Sequence, residues 1–446
     1  MSRRAVWETI YERFDPLEPP EQPAWHAARP SSPLARIEQA LDLPRGTPHV
    51  LFTGTIGTGK TTELLRVAEA RGSKEFVIVL DLERHFERVV GDAEALHHVS
   101  AWEVVFLVGL AILRSAEEKL GFTFPAEHRL SLETAWRAAA KLSKVSETTP
   151  EVDVGKLAKS LSLLVSAAAG PAGTALVALA EGAKWSLPIG LSKTRLPDQD
   201  SQAQTLLRCV NVIIGLVQQR GSKVLVILDG LDRIKTFDRA KELFLDSTMI
   251  GQLDCRVVLC GPFVLRTDGA IGAVRGFSDV PPLVNVPVMA EDDPSRFGPG
   301  LPFFHELFAK RVQDLHAPDL IDPALLDRLA YFSGGRARDF VTMIRKLAGE
   351  AYTANAHVAT AEMVERVIDD QRRVAETGLH RGHIRVLEAV AADPDHRLPD
   401  DPLVPSLLMN WKLLLPYSDG SEWYYPHPLL TIRFLRVKPS GSRLAS

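Results

Sequence analysis

Three short stretches of this chain hold residue types that can do chemistry together. GTIGTGKT, Gly54 to Thr61, fits the spacing G-x-x-x-x-G-K-T in full. It follows the apolar run HVLFTG and precedes the helix-like TTELLRVAEA, the context this motif requires. A backbone rich in glycine turns its N–H groups toward phosphate oxygens, and the helix that follows adds its positive end. On this reading Gly54, Thr55, Gly57, Thr58 and Gly59 form the cradle. Lys60 holds the β- and γ-phosphates, Thr61 offers its hydroxyl to Mg²⁺, and Thr62 stands beside it at the helix start.

VLVILDGLDRI, residues 224–234, is a buried strand ending on a carboxylate. Asp229 is placed to hold Mg²⁺ through water. Asp232 reads in two ways, as a helix N-cap or as the carboxylate that orients an attacking water. Between them stands Gly230, which offers no side chain for that task. The third stretch, SGGRARDF from Ser333, ends one helix on Gly334-Gly335 and opens the next with Arg336 and Arg338. Either arginine suits a γ-phosphate, where charge builds during transfer, and Arg338 is the preferred one.

These groups need a scaffold. The 446 residues predict two to three domains, and 46% hydrophobic with 24% charged residues is ordinary for a globular protein. A net charge of −4 argues against a general nucleic-acid coat. Cys209, Cys255 and Cys260 sit in or beside apolar runs and read as reduced thiols rather than a disulfide framework. The N-terminal residues show no signal-peptide pattern, so a cytoplasmic location is expected.

Residues 1–44 form a Pro-rich lead with an amphipathic helix near Pro33–Leu43. An α/β domain is predicted over 45–290, with parallel strands at 49–54, 76–82, 224–229, 255–261 and 283–288. The strand rhythm stops over about 84–200, which reads as a largely helical insertion. Within it Leu161–Ala180 carries no charge and is long enough to span a bilayer. Its Ala, Gly and Ser content and the central Gly170-Pro171 favour a buried helical hairpin over a membrane span. Residues 291–376 predict a helical lid, with helices near 302–315, 323–332, 336–350 and 360–376. Over 377–446 two helices precede strands around an Asp419-Gly420 turn, the pattern of a winged helix.

Taken together, GTIGTGKTTEL, ILDGLDR and SGGRARDF resemble the AAA+/STAND branch of P-loop ATPases, specifically bacterial ATP-binding proteins with a helical lid and a C-terminal winged helix. The resemblance covers most of 45–350 and, more loosely, 379–437. It implies ATP and Mg²⁺ as ligands, with Thr61 and Asp229 on the metal, Asp232 as the catalytic acid and Arg338 as the lid arginine. It also implies a homo-oligomer with a protein partner.

Three departures stand out. Arg233 replaces a common Glu, Cys260-Gly261-Pro262 occupies a strand end that often carries a polar sensor, and Lys60 lies far from Asp229 in sequence. A related branch, the KAP ATPases, carries membrane helices in that interval. The leading expectation is a slowly hydrolysing regulatory switch. The alternatives are a DNA-associated ATPase and a membrane-associated one using 161–180. The candidate reading helix PLVPSLLMNWK is mostly apolar and the wing YSDGSEWY acidic, which favours protein over DNA as the partner. Four arginines, Arg233, Arg239, Arg256 and Arg266, are candidates for a finger supplied to a neighbouring subunit.

Overall fold

The structure, a computed structural model, describes residues 2–17, 23–43, 46–142, 163–166, 174–176, 197–316 and 318–431. The chain divides into two compact units. One comprises Pro33–Gly54 and Glu63–Pro282, the other Met1–Ser32, Thr55–Thr62 and Leu283–Ser446.

The first unit is built on a sheet of strands β1 (His49–Gly54), β2 (Phe76–Asp81), β3 (Leu163–Ser166), β4 (Thr174–Leu176), β5 (Val224–Asp229), β6 (Arg256–Pro262) and β7 (Pro282–Leu283), in the order β4-β3-β2-β5-β6-β1-β7. Strands β2, β5, β6 and β1 run parallel. Their near-continuous Val, Ile and Leu runs are buried, the pattern of a parallel sheet covered on both faces. Helices α2 (Leu34–Asp42), α3 (Lys60–Arg71), α4 (Ala101–Leu120), α5 (Ala126–Leu142), α6 (Pro197–Gln218) and α7 (Phe237–Lys241) complete the chain order. Helix α4 starts at a capping box, where Glu103 accepts the Ser100 backbone N–H at 2.7 Å. Register places Asp81 opposite Asp229, so the strands end together on acidic residues.

Two expectations change here. The insertion is not wholly helical: α4 and α5 are helices, but β3 and β4 are strands, β3 antiparallel to β2 and β4 antiparallel to β3. The helical hairpin expected over Leu161–Ala180 is thus replaced by strand at 163–166 and 174–176, while Gly170-Pro171 lies outside the described residues. Among the described residues no helix is long and apolar enough to cross a membrane. The strand expected at 283–288 is confined to Pro282–Leu283. The N–H groups of Asn285 and Val286 go instead to Pro416 O and Gly335 O, both at 3.0 Å.

The second unit holds α1 (Arg3–Arg13), α8 (Leu301–Val312), α9 (Pro323–Phe332), α10 (Ala337–Thr353), α11 (Ala361–Glu376), α12 (Arg381–Ala392), α13 (Val404–Met409), the hairpin β8 (Leu414–Asp419) and β9 (Ser421–Pro426), and α14 (Pro428–Thr431). The four lid helices match the expected positions, as do the two helices and hairpin of the winged helix. Tyr417 and Trp423 stand opposite each other on the hairpin with rings stacked at 4.5 Å. Helix α1 was not expected. It buries Val6, Trp7 and Ile10, and the Trp7 indole N–H donates to Ala356 O at 2.9 Å. The described residues of the lead before α2 are therefore packed: Arg13 forks onto Asp314 at 2.5 and 2.7 Å.

Candidate phosphate-binding site

Strand β1 ends at Gly54 and α3 begins at Lys60, so the predicted loop lies where strand turns to helix. The loop is laced from within. Thr55 O accepts the Thr58 hydroxyl at 2.8 Å and the Lys60 ammonium at 2.6 Å. Thr55, Thr58 and Lys60 are buried, while Thr61 and Thr62 are half-buried.

In the same unit the lid helix α10 meets this loop. The Arg338 backbone N–H donates to Gly57 O at 3.1 Å. A Cβ at Gly57 would stand 3.2 Å from Arg338 Cβ, so a larger residue there would press on the lid. Of the two candidate arginines, Arg338 therefore adjoins the loop. Arg336 is buried and ion-paired with Asp339, which also lies 3.5 Å from His427 Nε2. Burial alone would raise the Asp339 pKa, but the Arg336 guanidinium and His427 overcome it and hold it at about 2.

Two contributors lie outside any motif. Arg29, from the lead, donates from one guanidinium nitrogen to Thr58 O and from another to Val284 O. Asn285 Oδ1 accepts the Thr55 hydroxyl at 3.4 Å. A lone Asn inside the apolar run LVNVPV was a usable signal for the second, whereas nothing in the sequence marks Arg29.

The carboxylates are gathered in the unit that carries the sheet. Asp229 and Asp232 are buried, and the Cys260 thiol lies 3.2 Å from Asp229 Oδ1 and 3.4 Å from Asp232 Oδ1. One ligand atom from each of these three residues falls within 4.8 Å of the others. Asp232 does not cap its short turn, which begins at Gly230. Asp81, not singled out from sequence, joins them from β2. Burial and the charge of Asp229 raise its pKa to about 6. The strand FVIVLD ends on Asp as VLVILD does, a signal that was available.

Gly230 has a positive φ of 92°, and a Cβ there would stand 2.7 Å from the Glu83 backbone nitrogen. No side chain fits without moving the Leu82–Arg84 turn. The candidate finger arginines are all engaged in this unit: Arg233 with Glu83 at 3.0 Å, Arg239 with Glu242 at 2.5 Å, Arg256 with Glu75 at 3.0 Å, and Arg266 with Val280 O at 3.4 Å.

No protein-family model matches the chain, and no curated protein matches it. Solved structures do. The chain is similar to the ORC2 protein of Aeropyrum pernix in its ADP form, with a TM-score of 0.41 and 12% identity over 94% of each chain. It is similar to Cdc6p from Pyrobaculum aerophilum, with a TM-score of 0.38 and 11% identity over 94% of this chain and 95% of that one. Drosophila ORC bound to DNA gives 0.38 and 11% over 95% of this chain and 89% of its counterpart.

Proposed function

We propose that this protein is an ATP-dependent regulatory switch that binds ATP with Mg²⁺ at Gly54–Thr61, hydrolyses it slowly, and couples nucleotide state to self-assembly or to a protein partner. One observation carries the reading: the phosphate-loop motif stands between strand and helix, with the lid's Arg338 amide bonded to its Gly57 carbonyl. Phosphate held by the loop is thereby felt at the first turn of α10.

The residues fit the ligand. The Lys60 ammonium is buried against the loop's own carbonyl, positioned to exchange that acceptor for phosphate oxygens. Thr61 and Asp229 are the proposed Mg²⁺ ligands, and the ion when bound offsets phosphate charge. Asp232 is the proposed water-orienting acid, and Arg338 the reporter of the γ-phosphate. Slow turnover follows from Gly230, whose place is closed to a carboxylate by the Glu83 backbone. Lid and winged helix are the proposed output. The segment PLVPSLLMNWK offers Lys412 as its one cation and the wing YSDGSEWY is acidic, which suits a protein partner better than a DNA groove.

The test measures ATP turnover and particle mass together, with Mg-ATP and with a non-hydrolysable analogue, for wild type, Lys60→Ala and Asp232→Ala. Lys60→Ala is expected to lose binding. Asp232→Ala is expected to keep analogue-driven assembly and lose turnover at least about tenfold. Rapid turnover by a monomer, unchanged in Asp232→Ala, would overturn the proposal.

A further inference from the structure

The phosphate loop has a support that no motif announces. Arg29 lies in the irregular segment between the Pro23–Trp25 turn and α2, and only 8% of it is exposed. Each of its two terminal nitrogens donates to a main-chain carbonyl, one at Thr58 in the loop and one at Val284 in the strap that follows β7. The Phe303 ring lies under the guanidinium, 6.0 Å from its central carbon. A buried cation donating to two backbone oxygens is a demanding arrangement, because only a planar fork reaches both.

The consequence follows from peptide geometry. In a planar trans peptide the C=O and the next residue's N–H point in opposite directions. Holding the Thr58 carbonyl on Arg29 therefore turns the Gly59 N–H to the side away from Arg29, which on the nucleotide reading is the side that takes phosphate oxygens. Gly59 has a φ of 99°, a conformation that glycine reaches and that an external hold must select among its alternatives.

Resting on the nucleotide reading above, we infer that Arg29 is a positioning residue for the phosphate loop. It fixes the Thr58–Gly59 peptide in the orientation that binds phosphate. Residues of the N-terminal lead are thereby part of the nucleotide site.

The experiment is equilibrium binding of ATP, ADP and AMP to the full chain, for wild type, Arg29→Ala and Arg29→Lys, beside a thermal melt of each. A charged hydrogen bond lost from the cradle's support predicts ATP and ADP binding weaker by about tenfold or more in Arg29→Ala. AMP, which lacks the phosphates the loop would hold, is expected to change less than about threefold. Arg29→Lys keeps charge and stem but not the fork, and is expected to lose at least about fivefold for ATP. It carries the test should Arg29→Ala fail to fold.

Equal ATP affinity in wild type and both variants would overturn the inference while leaving the nucleotide reading intact. Equal weakening of all three nucleotides would overturn it too, since a general collapse moves every ligand alike. A wild type that binds no ATP would overturn the nucleotide reading and this inference with it.

Discussion

Gly335 offers a sharp test of how the lid is joined to the strap. It has a φ of 77°, and a Cβ placed on it would stand 1.9 Å from Val286 O and 3.0 Å from Val286 C. The obstacle is backbone, so no rotamer relieves it. Val286 is held in place by its own N–H, which donates back to Gly335 O at 3.0 Å. For Gly335→Ala the left-handed conformation costs about 1–2 kcal/mol. Moving the strap away forfeits its hydrogen bond, about 1 kcal/mol more. The expected loss is about 2–3 kcal/mol. At about 2–4 °C per kcal/mol for a unit of this size, the melting midpoint falls by about 4–12 °C.

The neighbouring residue, Asn285, accepts the Thr55 hydroxyl, so the proposed ATP binding is expected to weaken in the same variant. The assay is a thermal melt followed by tryptophan fluorescence, with Gly269→Ala as control. Nothing lies within 4 Å of a Cβ at Gly269, and that variant is expected within about 0.5 kcal/mol of wild type. A Gly335→Ala midpoint within about 2 °C of wild type would refute the close approach and the reasoning built on it.

Two further outcomes follow from the same kind of accounting. Gly230→Glu is expected to destabilise the protein without raising turnover, because the added Cβ meets the Glu83 backbone at 2.7 Å; a tenfold gain in turnover with an unchanged melt would contradict it. Asp339 titrates at about 2 in the folded chain against an ordinary 3.8, so its pairing stabilises the fold above about pH 4 and is lost as pH falls through about 2. The full shift is worth about 2 kcal/mol, and with 29% of the side chain exposed about 1–2 kcal/mol is expected. Asp339→Asn should lower stability at pH 7 and flatten that acid limb in denaturant titrations; a limb of unchanged depth would place the titrating group elsewhere.

Much of the scaffold was legible because its signals are local. The parallel strands are unbroken apolar runs, the loop motif is eight consecutive residues, and the lid helices carry caps and periodicity. Failures occurred where local pattern is ambiguous. LLVS and TAL, inside an uncharged stretch, suit a helix as well as a strand, and the pairing of LLVS with β2 and of TAL with LLVS settles them as strands. LVNVPV looks like a strand, yet its amides are claimed by Pro416 and Gly335, far away in sequence. Arg29 lies beyond sequence reading for a related reason. Its acceptors are main-chain carbonyls, which any residue supplies, so no partner residue type betrays it.

Gly230 shows why the lack of a carboxylate at one position need not be a simple deletion. Were it only a lost Glu, the surrounding backbone would leave room for one. Instead the turn after β5 is packed around the absence. The left-handed glycine lies against Glu83 N, Arg233 closes onto the Glu83 carboxylate at 3.0 Å, and Asp229 Oδ1 accepts the Gly230 N–H at 2.8 Å. Restoring a carboxylate there would require the Leu82–Arg84 turn to move, and with it Asp81, whose carboxylate accepts the Arg84 N–H at 3.0 Å and stands in register with Asp229. The same contacts that exclude a carboxylate from position 230 thus bear on the placing of Asp229. The proposed slow hydrolysis is accordingly a property of this corner of the fold, beyond the reach of a single substitution.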